Sequence, residues 1–243
     1  MMFILSRSRN ACLLASLILI LSFAASGATV YDTAVTAADY TGSRSVGSGL
    51  TGVGKWTNFM ISWVITPNFS PGYWKYQYTL DSKSDPQISH WILDLTDDCV
   101  GANGQQADGA RCVVMEDTSE STVFKTFSPS DPGQSNPNMP APITGVKFDF
   151  GPNGNDLSMT VAFLSVRAPV WGDFYSKGGS PQSQNFGAVW NNGLANPHTS
   201  ANKLDFIARP NGSSVPPEEI PEPGTWAMLA GGLGLLALAR RRK

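Results

Sequence analysis

Short runs in which bulky apolar side chains alternate with polar ones recur along this chain, and such runs fold as β-strands with one buried face. In YWKYQYTL one face of the strand carries Trp74, Tyr76, Tyr78 and Leu80. Similar rows occur at residues 59–65 and in SHWILDL, VKFDF and LSMTVAFLSV, with further candidate strands at 113–115, 122–127 and 204–208. Between residues 29 and 210 we find no helical periodicity.

Turn-forming residues separate these runs, as in TPN at 66–68, SDP at 84–86 and GPNG at 151–154. About nine or ten short strands with this spacing are typical of an antiparallel β-sandwich. We therefore predict an all-β domain over residues 29–210, of jelly-roll or immunoglobulin-like type.

Two cysteines fall within that domain, Cys99 and Cys112, and the 12 residues between them are almost all polar or small. In an exported protein such a pair predicts a disulfide. By the chain-entropy estimate, closing this loop adds about 3 kcal/mol to stability. The alternative, a metal pair, needs further Cys or His nearby, and none is present in this stretch.

The first 28 residues have the composition of a secretory signal peptide. Arg7 and Arg9 precede an apolar run at 11–23, and small residues follow at 26–28. We place cleavage after Ala28, with Ser26 as the alternative. Cys12 precedes the apolar run, so it is not placed as a lipoprotein cysteine.

The other end has three parts after a Gly, Ser, Pro and Glu-rich linker at 211–220. Pro221, Glu222 and Pro223 come first, and 16 uncharged residues at 224–239 follow. As a helix this run rises about 24 Å, just enough to cross a bilayer with help from its flanks. The closing cations are Arg240, Arg241, Arg242 and Lys243. They favour a single transmembrane sorting helix over an ordinary buried helix, with the cations left in the cytoplasm.

This order of Pro-Glu-Pro, Gly/Leu/Ala-rich run and Arg cluster resembles a PEP-CTERM sorting signal. The resemblance covers residues 221–243 and implies a Gram-negative exported protein that an exosortase, a membrane-embedded cysteine transpeptidase, cuts near the Pro-Glu-Pro. It also implies a membrane-anchored intermediate, release or attachment at the cell surface, and association with biofilm matrix. APVWGDFYSKGG and SHWILDLTDDC resemble the ectodomains of other such proteins, which supports the fold alone.

Composition and motifs argue against several kinds of function. The chain holds 17 Lys/Arg against 19 Asp/Glu, and its only basic cluster is in the tail, so a nucleic-acid partner is not expected. Neither a Gly-x-Ser-x-Gly motif nor a reactive cysteine is present, and His90 and His198 are best explained as a structural and a solvated residue. Carboxylate pairs for glycoside hydrolysis are available only nominally, among Asp94, Asp97, Asp98, Glu116 and Asp117.

Calcium is the only cofactor for which the sequence offers candidates, since oxygen-rich loops bind this ion. One loop holds Asp97 and Asp98, and a second holds Asp149, Asn153 and Asp156. Neither has EF-hand spacing. Ordinary Asn, Asp and Gly turns explain both loops equally well, so we predict no resident cofactor.

The stretch WGDFYSKGGSPQSQNFGAVW at 171–190 reads as a long polar surface loop carrying aromatic residues. Exposed rings beside polar side chains suit a carbohydrate site, for which the candidates are Trp171, Asp173, Tyr175 and Trp190. The alternative is that these rings fold inward and hold the loop in place.

Two functions from different classes remain. We predict a non-catalytic protein of the cell surface or extracellular matrix, which associates with exopolysaccharide or with a surface protein. The alternative is a secreted glycan-active hydrolase that uses a carboxylate pair.

Overall fold

A computed structural model of this protein describes residues 29–95, 97–116, 121–130, 136–151, 156–182, 184–196 and 199–213. Within these residues the regular structure consists of thirteen β-strands and five short 3₁₀ helices. The strands are β1 (Thr41–Val46), β2 (Gly49–Gly54), β3 (Met60–Ser70), β4 (Tyr73–Asp81), β5 (Ile88–Asp94), β6 (Val114–Met115), β7 (Ser121–Phe127), β8 (Ile143–Asp149), β9 (Ser158–Ser165), β10 (Pro169–Gly172), β11 (Phe174–Gly179), β12 (Phe186–Asn191) and β13 (Ile207–Pro210). The 3₁₀ helices are Ala37–Asp39, Asp97–Cys99, Ala102–Gly104, Asn192–Ala195 and Lys203–Asp205. The prediction of an all-β domain is confirmed.

Eleven strands form one large sheet in the order β6-β9-β4-β3-β1-β2-β12-β11-β5-β8-β7. All neighbours are antiparallel except β1 and β2, which pair in parallel at Ser45 with Gly49 and Val46 with Leu50. That short contact joins the two halves of the sheet, so the strands form one continuous hydrogen-bonded sheet instead of the two separate sheets of the predicted sandwich. A separate ribbon contains β10 and β13.

The sheet is curled, as its connectivity and its core both show. Its edge strands β6 and β7 are six residues apart along the chain, from Met115 to Ser121, so these ends lie within about 21 Å. Inside the curl, Trp91 of β5 lies 4.8 Å from Tyr78 of β4, measured between ring centroids. Phe148 of β8 lies 5.9 Å from Phe163 of β9. The two halves of the sheet therefore face each other across an aromatic core.

Alternation correctly assigns the inner faces of β4 and β5, but β5 is buried on both sides. Trp91 and Leu93 point into the main core, while Ile92 belongs to a second apolar cluster outside the curl. That second cluster includes Met139, from the segment that leads into β8, and Ile143, the first residue of β8. Buried residues on both faces make β5 a central strand of the fold.

Most of the stretch predicted as a surface loop is instead the hairpin β11–β12 in the middle of one half of the sheet, while Trp171 and Gly172 belong to β10. Its glycines serve close packing as well as turns. A Cβ at Gly187 would lie 2.4 Å from Cγ of Trp56, which lies across this strand. Composition alone suggested a loop because glycine is common both in turns and where a backbone passes under a large ring.

Both ends of the described chain lie against β10. Asp32 N donates to Trp171 O at 2.9 Å on one side, and β13 pairs with β10 on the other. The strand predicted at 204–208 begins later, because Leu204 lies in the helix Lys203–Asp205. Asn211 is buried and its N–H donates to Ala168 O at 2.9 Å, so residues 211–213 belong to the folded body and not to the predicted linker.

Candidate functional site

A buried ionic cluster lies where the two ends of the body meet. The guanidinium of Arg209, on β13, is fully buried and its Nη2 lies 3.0 Å from Asp94 Oδ2 at the end of β5. The same nitrogen pairs with Asp32. Tyr31 Oη donates to Asp94 Oδ2 at 2.8 Å, and its ring lies 5.5 Å from Arg209 Cζ. One cation thus holds the N-terminal segment, β5 and β13 together.

A second buried carboxylate, Asp173, adjoins this group in the turn between β10 and β11. Asn191 Nδ2 donates to Asp173 Oδ1 at 2.5 Å and to Asp205 O at 2.6 Å. The Asn191 side-chain oxygen accepts from Phe174 N at 2.8 Å. Asp173 O in turn accepts from Asp94 N at 3.1 Å, which makes the two aspartates direct neighbours.

The electrostatics of the cluster follow from its burial. Burial raises the pKa of Asp173 to about 7, and the charge of Asp94 acts in the same direction. Burial on its own lowers the pKa of Arg209, but the charges of Asp94 and its neighbours outweigh it and the net shift is upward. Arg209 therefore stays charged, whereas Asp173 is protonated in mildly acidic solution.

Glycine at position 172 gives Arg209 the space it needs. A Cβ there would lie 1.9 Å from Arg209 Nε. Arg209, Tyr31 and Asn191 were not among the site residues predicted from the sequence. A signal existed for Arg209, because it shares a strand face with the apolar Ile207 in a segment otherwise free of charge.

A second buried polar group lies on the outer face of β5 and β11. His90 Nε2 lies 3.2 Å from Asn136 Oδ1, and Asn136 Nδ2 donates to Ser128 O at 3.0 Å. Burial lowers the pKa of His90 to about 3, and Lys177 and Lys147 act in the same direction. The imidazole is therefore neutral at ordinary pH, which agrees with the structural role predicted for it. His198 lies outside the described residues.

The four carbohydrate candidates do not form an exposed aromatic surface. Trp171 is only 4% exposed and packs in the main core, with its ring centroid 6.2 Å from that of Trp63. Tyr175 and Trp190 are cross-strand neighbours in the second apolar cluster, and Tyr175 Oη donates to Pro137 O at 2.8 Å. Asp173 is buried in the ionic cluster. The rings therefore fold inward, which is the alternative that the sequence left open: Trp171 packs in the main core, and Tyr175 and Trp190 pack in the second apolar cluster.

The disulfide prediction is confirmed, with Cys99 and Cys112 joined and their Cα atoms 5.9 Å apart. Both sulfur-bearing side chains are buried. Cys99 Sγ also lies 3.5 Å from Gly212 O, so the bridge contacts the last described residues of the body. Gln106, within the loop, makes two hydrogen bonds to the backbone of Val113: its Nε2 donates to Val113 O, and its Oε1 accepts from Val113 N.

The calcium candidates are dispersed in this structure. Asp149 accepts from Lys147 Nζ at 2.8 Å, and Asp156 is exposed. Asn153 and the side chain of Asp97 lie outside the described part of the chain, while Asp98 is exposed in the helix Asp97–Cys99. Among the described residues there is no group of three or more His, Cys, Asp or Glu side chains that could hold a metal ion. Calcium binding stays a prediction.

The predicted signal peptide at 1–28, the remainder of the predicted linker at 214–220 and the sorting segment at 221–243 all lie outside the described ranges, as does the predicted membrane helix at 224–239. In the ranges that the structure covers, no helix has the length and apolar character needed to span a bilayer.

Comparison with known proteins identifies the sorting segment. Residues 219–243 match the PEP-CTERM protein-sorting motif, which includes Pro221, Glu222, Pro223 and the closing cations. No curated protein and no solved structure matches the chain. A PEP-CTERM signal implies export, a membrane-anchored intermediate and delivery to the cell surface. This chain is therefore a protein that carries a PEP-CTERM sorting signal, consistent with an exosortase substrate.

Proposed function

We propose that the body of this protein is a non-catalytic module that an exosortase delivers to the cell surface or extracellular matrix, where it associates with exopolysaccharide or with another surface molecule. The sorting motif at 219–243 carries the proposal. On this reading, the signal peptide directs export and the tail is held in the membrane until it is cut near Pro221–Pro223.

The organisation of the body supports a binding role over a catalytic one. Two groups with strongly shifted pKa values that could act as acid or base, Asp173 and His90, are buried and hydrogen-bonded within the fold. A group that must transfer a proton to substrate has to be within hydrogen-bond reach of it. The disulfide and the internal ion pairs suit a module that must stay folded outside the cell.

The sorting step is tested by following the full chain in an exosortase-containing bacterium and in its exosortase deletion strain. We expect the body to reach the surface or matrix fraction and to lose its tail only when exosortase is present. Pro221→Ala combined with Pro223→Ala should leave an uncut precursor in the membrane fraction. Identical fractionation and mass in both strains would contradict the proposal.

A glycan-active hydrolase is the second candidate, because Asp94 and Asp173 adjoin each other and the pKa of Asp173 is raised to about 7, as a general acid requires. Their burial disfavours it, since Asp94 is 4% and Asp173 is 3% exposed. Reducing-sugar release from glycans by the wild type, lost in both Asp94→Asn and Asp173→Asn, would favour the hydrolase. Absence of release favours the binding module.

A further inference from the structure

The first described residues of the body are held within the fold. Val30 N donates to Ser200 O at 3.0 Å, and the same carbonyl accepts from Thr29 Oγ1 at 3.4 Å. Both Thr29 and Val30 are half-buried. We call residues 29–35 the entry segment, since they directly follow Ala28, where the predicted signal peptide ends. The fold therefore uses the two residues that come immediately after the predicted cleavage site.

The backbone turns directly after Val30. Thr33 N and Thr33 Oγ1 both donate to Val30 O, at 3.1 Å and 2.6 Å. Asp32, inside this turn, has a φ of 60°, which is in the left-handed region. Proteolysis beside folded structure requires that the chain around the cut first opens locally. The turn at 30–33 is not an open chain, so the docked entry segment does not fit a peptidase site.

Side chains of the entry segment bind the buried ionic cluster. Asp32 pairs with Arg209, and Tyr31 Oη donates to Asp94 Oδ2 at 2.8 Å. In the backbone, Asp32 N and Val35 N donate to carbonyls of β10 at 2.9 Å and 3.0 Å. The entry segment is not part of the eleven-stranded sheet, so its opening leaves that sheet in place. Docking is therefore a local step that these contacts stabilise.

We propose that docking of the entry segment and removal of the signal peptide exclude each other, so that signal peptidase must act before the body closes. In that hydrolysis the bond between Ala28 and Thr29 breaks, and water supplies a hydroxyl to the Ala28 carbonyl and a proton to the Thr29 amine. The freed segment then docks against β10 and completes the cluster around Arg209. This inference rests on the proposed function, which includes the signal peptide.

The cleavage site at the other end of the chain is not restricted in this way. Ser213 is the last described residue of the body, and the seven residues 214–220 separate it from Pro221. A chain of this length reaches up to about 24 Å, so the Pro-Glu-Pro can lie clear of the folded body. A closed body therefore still permits the exosortase step, and the order of events is signal peptidase, closing of the fold, then exosortase.

The test uses the full chain, refolded in detergent with its disulfide formed and then incubated with purified bacterial signal peptidase. A second chain carries a spacer of about ten residues between Ala28 and Thr29. The spacer begins with a second Thr-Val pair and continues as Gly-Ser, so the residues around the cut are unchanged but lie away from the fold. We expect the folded wild type to be cut at least about tenfold more slowly than the spacer chain, because its cut requires local opening.

A double variant assigns the delay to the docked entry segment. Tyr31→Phe combined with Asp32→Asn removes the hydroxyl and the charge that bind the ionic cluster, and asparagine tolerates the left-handed φ. We expect this variant to be cut about tenfold faster than the wild type, the effect of losing one hydrogen bond to a charged group. The matched control is Asp39→Asn, which weakens the exposed pair with Lys203 and should leave the rate unchanged.

The outcomes separate this inference from the proposed function. Equal rates for the folded wild type and the spacer chain, with the cut after Ala28 or after Ser26, overturn the inference and leave export standing. No cut in either chain removes the signal peptide from the proposed function and this inference with it. A slow wild type that the double variant leaves equally slow also overturns the inference, because the obstruction then lies outside the entry segment. Should the double variant fail to fold, the comparison with the spacer chain decides alone.

Discussion

Arg209 on β13 and Asp94 at the end of β5 form an ion pair, with 3.0 Å between Nη2 and Oδ2, although 115 positions separate them in the sequence. Both side chains are almost completely buried. Removing one partner from a buried pair leaves an uncompensated charge, and this loss is far more costly than the net value of the pair.

Arg209→Met should therefore lower the free energy of unfolding by about 3–5 kcal/mol, measured by urea denaturation at pH 7. The control is Lys203→Met, which breaks the exposed pair between Lys203 Nζ and Asp39 Oδ1 at 2.8 Å. An exposed pair contributes about 1 kcal/mol or less. Adding Asp94→Asn to Arg209→Met should recover part of the loss. Equal effects of the two single variants would show that Arg209 is not the buried cation.

The raised pKa of Asp173 predicts that this residue destabilises the fold as pH rises. Its pKa is about 7 when folded, against 3.8 for a solvated aspartate, so between these values the unfolded chain releases a proton that the folded protein keeps. Stability then falls by about 1.4 kcal/mol per pH unit over that range. Asp173→Asn should be more stable than the wild type at pH 8, with little difference at pH 4. A stability difference that is independent of pH would contradict this prediction.

His90 should act in the opposite direction. Its pKa is about 3 when folded, against 6.5 for a solvated histidine, so its contribution is complete above pH 6.5 and is lost as pH falls toward 3. His90→Gln keeps an N–H for Asn136 and removes the titration. Relative to the wild type, this variant should gain about 3 kcal/mol between pH 7 and pH 4, by urea denaturation at both values. A wild-type pH dependence that His90→Gln leaves unchanged would place the titrating group elsewhere.

Between about pH 4 and pH 6.5 the Asp173 and His90 effects oppose each other, so each becomes visible only when the other is removed. The double variant Asp173→Asn with His90→Gln should therefore show little of either slope in this range. This variant controls for the other titrating groups of the chain.

The disulfide should stabilise both its own loop and the exit of the chain toward the sorting motif. Cys99 Sγ lies 3.5 Å from Gly212 O, and Arg167 Nη1 donates to Ser213 O at 3.0 Å. Replacing both cysteines by serine should cost about 3 kcal/mol without abolishing the fold. Hydrogen exchange at residues 211–213 should also become faster.

Arg167→Ala serves as the comparison for the disulfide variant, since it loosens the same segment with the bridge intact. If the double serine variant had the same melting temperature as the wild type, the bridge would add nothing to stability. Unchanged exchange at 211–213 in both variants would mean that neither contact holds this segment.

Residues whose role depends on near neighbours in sequence could be predicted. The period-two pattern of β4 and β5 assigned Tyr76, Tyr78 and Trp91 to the core, because alternation is a local property of a strand. The short polar loop between Cys99 and Cys112 predicted their bridge. The order of Pro-Glu-Pro, apolar run and Arg cluster predicted the sorting signal, because the whole motif is contiguous.

Only the tertiary structure decided what covers each strand face. Trp171 and Trp190 are buried because distant segments pack over them, and alternation cannot show whether the second face of a strand meets solvent or another segment. Most of the polar stretch at 171–190 is a central hairpin in which Gly187 lies against Trp56, and composition cannot distinguish such a glycine from one in a turn. The cluster around Arg209 joins residues from both ends of the body and from its middle, and long-range charge pairing leaves no local pattern. The alternation of β4 and β5, the disulfide and the sorting motif were thus determined locally, whereas burial and the ionic cluster arise from contacts between strands far apart in the chain.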